Sequence, residues 1–368
     1  MRIVLEKRLD TSPYRALAIR ALSVILALVA GALLLAVVGA DPIETYRAMF
    51  LGALGSSYAV SETLVKAIPL MLTGLAVAIA FQMRFWNIGA EGQLAMGGFA
   101  AAGVALFGPP ALPWLPEGLW LPLIVVGGFL AGALWGLIPA ALKAYLDVNE
   151  IITTLMLNYI AIRWIEYLFY GPWKDPQGFG FPGTALFPVY TWLPRLTGRV
   201  HWGLIFALIG AFALWFLLSR TQWGYEIRLL GENPLAARYA GVSVPRMILL
   251  VMLISGGLAG LAGMAEVAGI SHRLQQGLTV GYGFTAIIVA WLARLNPWGV
   301  LIVAFALAAL LVGGDQLQIT MGLPAAIGLV LQGIIFFFVL GGDIFTRYRL
   351  RVVREAQPVP VERQSAVR

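Results

Sequence analysis

The sequence predicts an all-α polytopic membrane protein with about ten transmembrane helices. Of its 368 residues, 60% are hydrophobic and only 12% are charged, whereas soluble domains carry about 25% charged residues. Its apolar segments recur along the chain and most are long enough to cross a bilayer as helices. Lys and Arg lie at the ends of these segments and in the tails rather than in one patch with interleaved aromatic residues, which argues against nucleic-acid binding.

Ten apolar segments are predicted spans. The first, residues 21–40, follows five basic residues and is longer than the usual core of a cleaved signal peptide, which is the alternative interpretation. The others lie at residues 62–82, 92–108, 120–143, 151–171, 202–219, 247–270, 279–293, 297–316 and 322–342. Residues 1–345 are therefore expected to form one transmembrane domain, and residues 346–368 a basic and polar cytoplasmic tail.

The distribution of basic residues predicts the orientation. With ten spans, 18 of the 25 Lys and Arg residues fall on the side that holds both termini. Because cytoplasmic loops carry the excess of Lys and Arg, both termini are expected in the cytoplasm. Ten spans divide into halves of five, about 16–171 and 202–342, and an odd number of spans inverts the second half relative to the first. Inverted halves are a common transporter architecture.

A polar interruption at residues 219–246 contains a short helix with both ends marked. Asn233 is a favourable N-cap, Pro234 a favourable first helical residue, and Gly241 a favourable left-handed residue after the last turn. So short a helix is not stable alone in water and is expected to lie against something. We interpret it as a docking helix for a cytosolic motor protein. A capped surface helix in an ordinary loop is the alternative.

Sequence motifs for an enzyme are lacking. No lysine follows a glycine, so no GxxxxGK[ST] phosphate-binding loop occurs, and no GxSxG nucleophile turn is present. The chain has no cysteine, and its two histidines, His201 and His272, are far apart in sequence and lack the spacing of metal ligands. We therefore predict no catalytic residue and no metal site. ATP-driven transport would need a separate ATPase.

A polar stripe at the start of the fifth predicted span is a candidate for the translocation pathway. Glu150, Thr154 and Asn158 recur every four residues and lie on one helix face. A stripe facing lipid would be costly, so it is expected to face protein or water. Glu266 lies inside the seventh span and needs a partner. For each of these residues the alternative is an interhelical contact that only holds the helices together.

Two further candidates lie at the short third and eighth spans, which occupy equivalent places in the two halves. Asn87, Glu91 and Gln93 lie among glycines in a segment typical of a broken helix lining a cavity. Tyr282 and Phe284 are positioned to stack on a base or sugar ring. The alternatives are an interhelical hydrogen bond for the polar residues and interfacial anchoring for the aromatic ones.

Several motifs occur in order along residues 60–340: FWNIGAEGQ at 85–93, VNEIITTLMLNY at 148–159, GENPLAARYAG at 231–241, SGGLAGLAG at 255–263 and GYGF at 281–284. Together they resemble the membrane permease subunits of nucleoside and simple-sugar ABC importers, in the superfamily of branched-chain amino acid and ribose permeases. The resemblance implies the channel-forming subunit of an ATP-driven importer in the cytoplasmic (inner) membrane of a prokaryote.

The resemblance also implies partners. A cytosolic ABC ATPase that binds ATP and Mg²⁺ would engage the 231–241 loop, while this chain would bind no cofactor. A second homologous permease, or a second copy of this chain, would complete the channel within membrane lipid. An extracytoplasmic lipid-anchored binding protein would deliver the solute. The loop residues implied in ATPase coupling are Gly231, Glu232, Asn233, Pro234, Arg238 and Gly241.

The implied cargo is a nucleoside or a simple sugar, and branched-chain amino acids are the alternative cargo within the same class. Two alternatives come from other classes. An ion-coupled secondary transporter would use Glu150 and Glu266 as proton or sodium sites. A membrane-embedded assembly factor would transport nothing.

Overall fold

The structure, a computed structural model, describes residues 2–7 and 13–353. This described part contains thirteen α-helices and four short strands, so the predicted all-α class is confirmed. It divides into two compact units, one made of residues up to 45 together with those from 329 onward, and the other of residues 46–328.

The first unit contains α1 (Pro13–Val38) and most of α13 (Ala325–Arg347). Gly342 of α13 lies so close to Ser23 of α1 that an added Cβ would overlap the Ser23 hydroxyl. Small residues at such a contact let two helix backbones approach closely in a membrane.

The two ends of the described chain pair as strands. β1 (Arg2–Lys7) runs antiparallel to β4 (Tyr348–Val353) within the first unit. Residues 346–353, the start of the predicted tail, thus complete α13 and form β4. The two strands are hydrogen-bonded neighbours. That both termini lie in the cytoplasm stays a prediction.

The remaining helices lie wholly or mainly in the second unit. They are α2 (Pro42–Leu54), α3 (Ser57–Gln82), α4 (Ala90–Ala111), α5 (Trp120–Leu146), α6 (Glu150–Tyr170), α7 (Gly203–Arg220), α8 (Gln222–Glu232), α9 (Pro234–Tyr239), α10 (Val244–Glu266), α11 (Tyr282–Leu292) and α12 (Pro297–Met321). Two strands, β2 (Arg195–Thr197) and β3 (Val200–His201), form a hairpin before α7.

Eight helices of the described part are long and apolar enough to cross a membrane. They are α1, α3, α4, α5, α7, α10, α12 and α13, and each covers one of the predicted spans. The other two predicted spans form α6, a 21-residue helix that carries Glu150, Arg163 and Glu166, and α11, which has only 11 residues. The chain is a multi-pass membrane protein, and the count of ten spans stays a prediction.

Helix α3 is the central helix of the second unit. It packs against α7, α10, α11 and α12, and most of its residues are buried, including an unbroken run from Ala67 to Phe81. A helix that is apolar on every side is expected to be surrounded by others. Its N-terminus is capped by Ser56, whose hydroxyl accepts a hydrogen bond from the backbone N–H of Ala59 at 3.0 Å.

Helices α4, α5 and α10 pack on one another through glycines. A Cβ added at Gly97 of α4 would overlap the carbonyl oxygen of Gly260 in α10, and one added at Gly132 of α5 would overlap that of Gly256 in α10. The three helices therefore meet backbone to backbone. We refer to them below as the glycine-packed helices.

Candidate functional site: the docking helix and the polar core

The short helix α9 has the ends that the sequence predicts. The Asn233 side chain accepts hydrogen bonds from the backbone N–H groups of Leu235 at 3.0 Å and Ala236 at 3.1 Å. Pro234 is the first helical residue, and Gly241 adopts φ +83°, the left-handed region in which a side chain would be strained. Local sequence signals are enough to fix this helix, because each of them acts within one turn.

Helix α9 exposes several of its side chains at the surface of the protein. Leu235 is 64% exposed and Tyr239 is 92% exposed, and the side chains of Glu232 and Arg238 are also exposed. Leu235, Tyr239 and Arg238 on this short helix, together with Glu232 at the end of α8, form a surface that can bind a partner. We call this set the docking face.

Helix α8 holds α9 against the transmembrane helices. Its buried residues, Gly224, Ile227, Leu230 and Gly231, share one face. A Cβ at Gly231 would overlap the carbonyl oxygen of Gln82 at the end of α3, so the helix backbone lies directly on that end. Gly231 is therefore a packing residue, whereas Glu232, one position later, is free to meet a partner.

A cavity of about 480 Å³ lies behind α9. Its walls come from α9, from the loop after α3, from the end of α5 with the start of α6, and from the start of α10. Five charged residues line it: Arg84, Lys143, Asp147, Glu150 and Arg238.

Lys143 is at the centre of an ion-pair cluster in this cavity. Its ammonium lies 2.8 Å from the Asp147 carboxylate and 3.3 Å from the Glu150 carboxylate. Asp147 ends α5 in the left-handed conformation, with φ 49°, which turns the chain toward Glu150 at the start of α6. The hydrogen bond and the charge of Lys143 hold the pKa of Asp147 below its usual value, and Arg238 acts in the same direction.

A second cluster lies inside the second unit, and we call it the polar core. Its members are Asn87, Glu91, Gln93, Thr154, Asn158 and Ser255, each at most 1% exposed. The Asn87 amide donates to Gln93 at 3.1 Å and to the Ser255 hydroxyl at 2.9 Å. Ser255 in turn donates to the carbonyl oxygen of Ala76 at 2.6 Å. These bonds join the loop before α4 to α10 and α3.

The stripe on α6 binds the same loop and the start of α4. The Thr154 hydroxyl accepts from the N–H of Ile88 at 3.3 Å. Asn158 donates to the carbonyl oxygen of Ile88 at 2.8 Å and accepts from the N–H of Gly92 at 2.7 Å. Glu150, in contrast, lies at the cavity and pairs with Lys143. The predicted stripe is therefore one helix face in which Glu150 lies at the cavity, whereas Thr154 and Asn158 lie in the polar core.

Glu91 connects α4 to α11. Its carboxylate accepts hydrogen bonds from the backbone N–H groups of Gly281, at 2.8 Å, and of Gly283. These N–H groups belong to the first turn of α11, where the helix dipole also favours a negative charge. Gly283 lies against the backbone of Glu91 with no room for a Cβ. The two short spans that the sequence places in equivalent positions thus touch at their N-termini.

In this arrangement Asn87, Glu91, Gln93, Thr154 and Asn158 all bond to other helices or loops of the chain. These are the interhelical contacts that the sequence left open as the alternative. Their role in a translocation pathway stays a prediction.

The other predicted pathway residues lie apart from these bonds. Glu266 is the last residue of α10, directly before one turn of π-helix at Val267–Ser271. Such turns are rare in helices and occur often at functional sites. Tyr282 is buried, and Phe284 is 39% exposed.

Sequence reasoning missed Ser255, Lys143 and Asp147. Ser255 begins the SGGLAGLAG motif, and its only local signal is a hydroxyl beside glycines. Lys143 lies at the end of a predicted span, where a basic residue is ordinary. Asp147 joins the ion-pair cluster because of its left-handed backbone conformation, which the sequence does not reveal.

Residues 171–202, a proline-rich stretch between α6 and α7, are packed rather than free. The N–H of Thr184 donates to the carbonyl oxygen of Leu274 at 2.9 Å, and the N–H of Phe187 donates to that of His272 at 2.9 Å. The His272 ring stacks on Trp192, with ring centroids 3.7 Å apart. This stretch and the loop after α10 therefore form one cap.

The fold and these clusters define a multi-pass membrane protein whose polar groups are gathered between its helices, which is the organisation of a membrane permease. The chain belongs to the family described as branched-chain amino acid transport system / permease component, whose model matches residues 59–340.

Curated relatives agree with this family over most of the chain. A glucose ABC transporter permease protein of Haloferax volcanii is 37% identical over 90% of this chain and 89% of its own length. A guanosine ABC transporter permease protein of Bacillus subtilis is 38% identical over 86% of this chain and 91% of its own. A nucleoside ABC transporter permease protein of Lactococcus lactis is 32% identical over 86% of this chain and 89% of its own length. The resemblance inferred from the sequence is confirmed.

Proposed function

We propose that this chain is the channel-forming subunit of an ATP-driven ABC importer for nucleosides or simple sugars, in the cytoplasmic membrane of a prokaryote. A cytosolic ATPase docks on α9, and a second permease subunit, or a second copy of this chain, completes the channel. An external lipid-anchored protein delivers the solute. The observation that carries the proposal is the docking face: a capped helix with exposed Leu235, Arg238 and Tyr239, fixed to the end of α3 by α8.

The energy for transport comes from the partner. A conformational equilibrium shifts only when something binds its two states differently, and ATP bound between the ATPase domains supplies that difference. Closure of the ATPase displaces α9, and α8 carries the displacement to the end of α3. The transmembrane helices then expose the route alternately to the two sides. This chain needs no bound cofactor for this role, because ATP and Mg²⁺ are held by the ATPase.

The cargo assignment rests on the relatives, two of which are described as guanosine and nucleoside permeases and one as a glucose permease. The description of the family, a branched-chain amino acid transport system, favours branched-chain amino acids instead. An uptake panel decides between them. The chain, reconstituted in vesicles with its ATPase and binding protein, is offered labelled guanosine, glucose and leucine. We expect ATP-dependent uptake of guanosine or glucose. Uptake of leucine alone would reassign the cargo.

The same vesicles separate the transporter classes. Uptake by the purified chain alone down a proton or sodium gradient would contradict the proposal and favour an ion-coupled carrier at Glu150 and Glu266. In the complete assembly, Glu232→Lys is expected to reduce uptake severalfold while leaving membrane insertion unchanged, because it reverses a charge on the docking face. Glu44→Lys, an exposed site on α2, is the matched control and is expected to transport normally.

The side on which α9 lies can be measured directly, since the chain has no cysteine. Leu235→Cys and Val189→Cys place single thiols at exposed positions of α9 and of the proline-rich stretch, which are 64% and 71% exposed in the native residues. A membrane-impermeant maleimide added to intact cells is expected to label only Val189→Cys. Labelling of Leu235→Cys from outside would show that α9 lies on the external side and cannot contact a cytosolic ATPase.

A further inference from the structure

The ion-pair cluster in the cavity behind α9 occupies a junction between three elements. Lys143 lies on the last turn of α5, Glu150 is the first residue of α6, and Arg238 lies on α9. Lys143 divides its charge between Asp147 at 2.8 Å and Glu150 at 3.3 Å. Arg238 lines the same cavity, and its positive charge acts on Asp147. A displacement of α9 therefore moves the Arg238 charge relative to Lys143 and its two carboxylates, which line the same cavity.

The start of α6 is in turn bound to α4. Glu150 shares a helix face with Thr154 and Asn158, one and two turns further on. Asn158 holds both the carbonyl oxygen of Ile88 and the N–H of Gly92. A Cβ at Gly92 would lie 2.9 Å from the Asn158 backbone, so this contact leaves little room for sliding. Movement of the start of α6 thus carries the start of α4 with it.

The start of α4 is bound to α11 through Glu91, which accepts hydrogen bonds from Gly281 and Gly283. Named contacts thus run without a gap from Lys143 and Glu150 through Asn158 and the Ile88–Gly92 segment to the N-terminus of α11. The path begins beside the docking helix and ends in the second predicted half. The Lys143–Glu150 ion pair at its beginning is partly exposed, with 31% exposure at the Lys143 side chain and 14% at that of Glu150. Pairs of this kind are weak and exchange readily.

We propose that the Lys143–Glu150 ion pair is the joint through which displacement of the docking helix reaches the polar core and α11. This inference rests on the proposed function and deepens it by naming the residues that transmit the motion. Lys143 is a positioning residue in this role, since it acts through α6 and contacts no solute. A weak, exchangeable pair suits a joint because it opens and reforms in each transport cycle, whereas a tight buried pair would fix one state.

The test measures solute transported per ATP hydrolysed, in vesicles that contain the complete assembly. Lys143→Met is expected to lower this ratio about two- to fivefold, the range set by the strength of a partly exposed ion pair. Co-purification of the ATPase is expected to be unchanged, because Lys143 lies behind α9 rather than on the docking face. Lys143→Arg keeps the charge and is expected to keep most of the coupling. The exchanged pair Lys143→Glu with Glu150→Lys is expected to recover part of it.

The matched control is the exposed pair of Arg163 and Glu166 on the same helix, 2.6 Å apart. Arg163→Met removes a more exposed ion pair within α6, away from the cavity, so the ratio is expected to stay at the wild-type value. A wild-type ratio in Lys143→Met, or an equal loss in Arg163→Met, would refute the joint while leaving the proposed function intact. Failure of any ATPase to bind the wild-type chain would refute the proposed function, and the joint with it.

Discussion

The carboxylate of Glu91 and the backbone N–H of Gly281 are joined by a 2.8 Å hydrogen bond across 190 residues of sequence. The bond links the first turns of α4 and α11, and a second bond from Gly283 to the same carboxylate reinforces it. An acid at this position serves two N–H groups at once, which a smaller side chain could not reach.

Replacing Glu91 is expected to destabilise the protein. Glu91→Ala leaves two N–H groups of α11 without a partner, of which that of Gly283 is fully buried in the contact, and the cost is roughly 2–4 kcal/mol. Glu91→Gln retains one acceptor oxygen and is expected to lose about half as much. The midpoint of thermal unfolding in detergent measures both. Glu117→Ala, an exposed acid near the start of α5, is the control, and an equal loss there would contradict the prediction.

Removing the cap of α9 is expected to reduce coupling more than stability. Asn233→Ala frees the N–H groups of Leu235 and Ala236 and frays the docking helix, at a cost of about 1 kcal/mol. ATP-dependent uptake is expected to fall severalfold. Asn296 caps α12 by the same two-bond pattern, so Asn296→Ala costs similar stability. If both variants lost uptake equally, the loss would follow from general destabilisation rather than from the docking helix.

Adding one methyl group between the glycine-packed helices is expected to separate them. A Cβ at Gly263 of α10 would overlap the carbonyl oxygen of Leu94 in α4, and such overpacking costs roughly 1–3 kcal/mol. Gly263→Ala is therefore expected to lower the unfolding midpoint. Gly333→Ala meets nothing within 4 Å and is expected to be neutral, or to stabilise by up to about 1 kcal/mol. Equal midpoints for the two variants would show that the close approach does not matter.

The stability of the protein is expected to fall on acidification because of His201. Burial, together with the positive charges of His272 and Arg195, lowers the pKa of His201 from 6.5 to about 4. Between these values the unfolded chain binds a proton that the folded chain does not, so stability drops as the pH falls from 6.5 to 4 and levels off below. The full effect is on the order of 3 kcal/mol, at about 1.4 kcal/mol per pKa unit.

Unfolding midpoints at pH 7, 6, 5 and 4 measure this dependence. The N–H of Gly203 donates to His201 Nδ1 at 3.1 Å, and a glutamine oxygen can accept the same bond without binding a proton. His201→Gln is therefore expected to flatten the decline between pH 6.5 and 4. An unchanged slope in this variant would assign the acid sensitivity to other groups.

What the sequence predicts best depends on signals that act locally. The limits of α9 follow from Asn233, Pro234 and Gly241, each of which acts on its own turn, and the spans follow from their hydropathy. Helix α2 was predictable in principle, because Asp41 before Pro42 accepts hydrogen bonds from the next N–H groups. It is too short and too polar for hydropathy to predict it as a span.

The contacts that depend on distant parts of the chain could not be predicted. Ser255 contributes to the polar core only because α10 brings it to Asn87, 168 residues away. The pairing of β1 with β4 joins the two ends of the described chain, and no periodicity in the sequence predicts it. The sequence places the third and eighth spans in equivalent positions of the two predicted halves, but only the structure shows that Glu91 connects them.

The glycine contacts among α4, α5 and α10 restrict how the protein can move. Where Gly97 touches Gly260 and Gly132 touches Gly256, no side chain is present that could change rotamer and so absorb a displacement. The three helices are therefore expected to turn as a single rigid plate. Any opening and closing has to take place where other helices meet that plate, rather than between its three members.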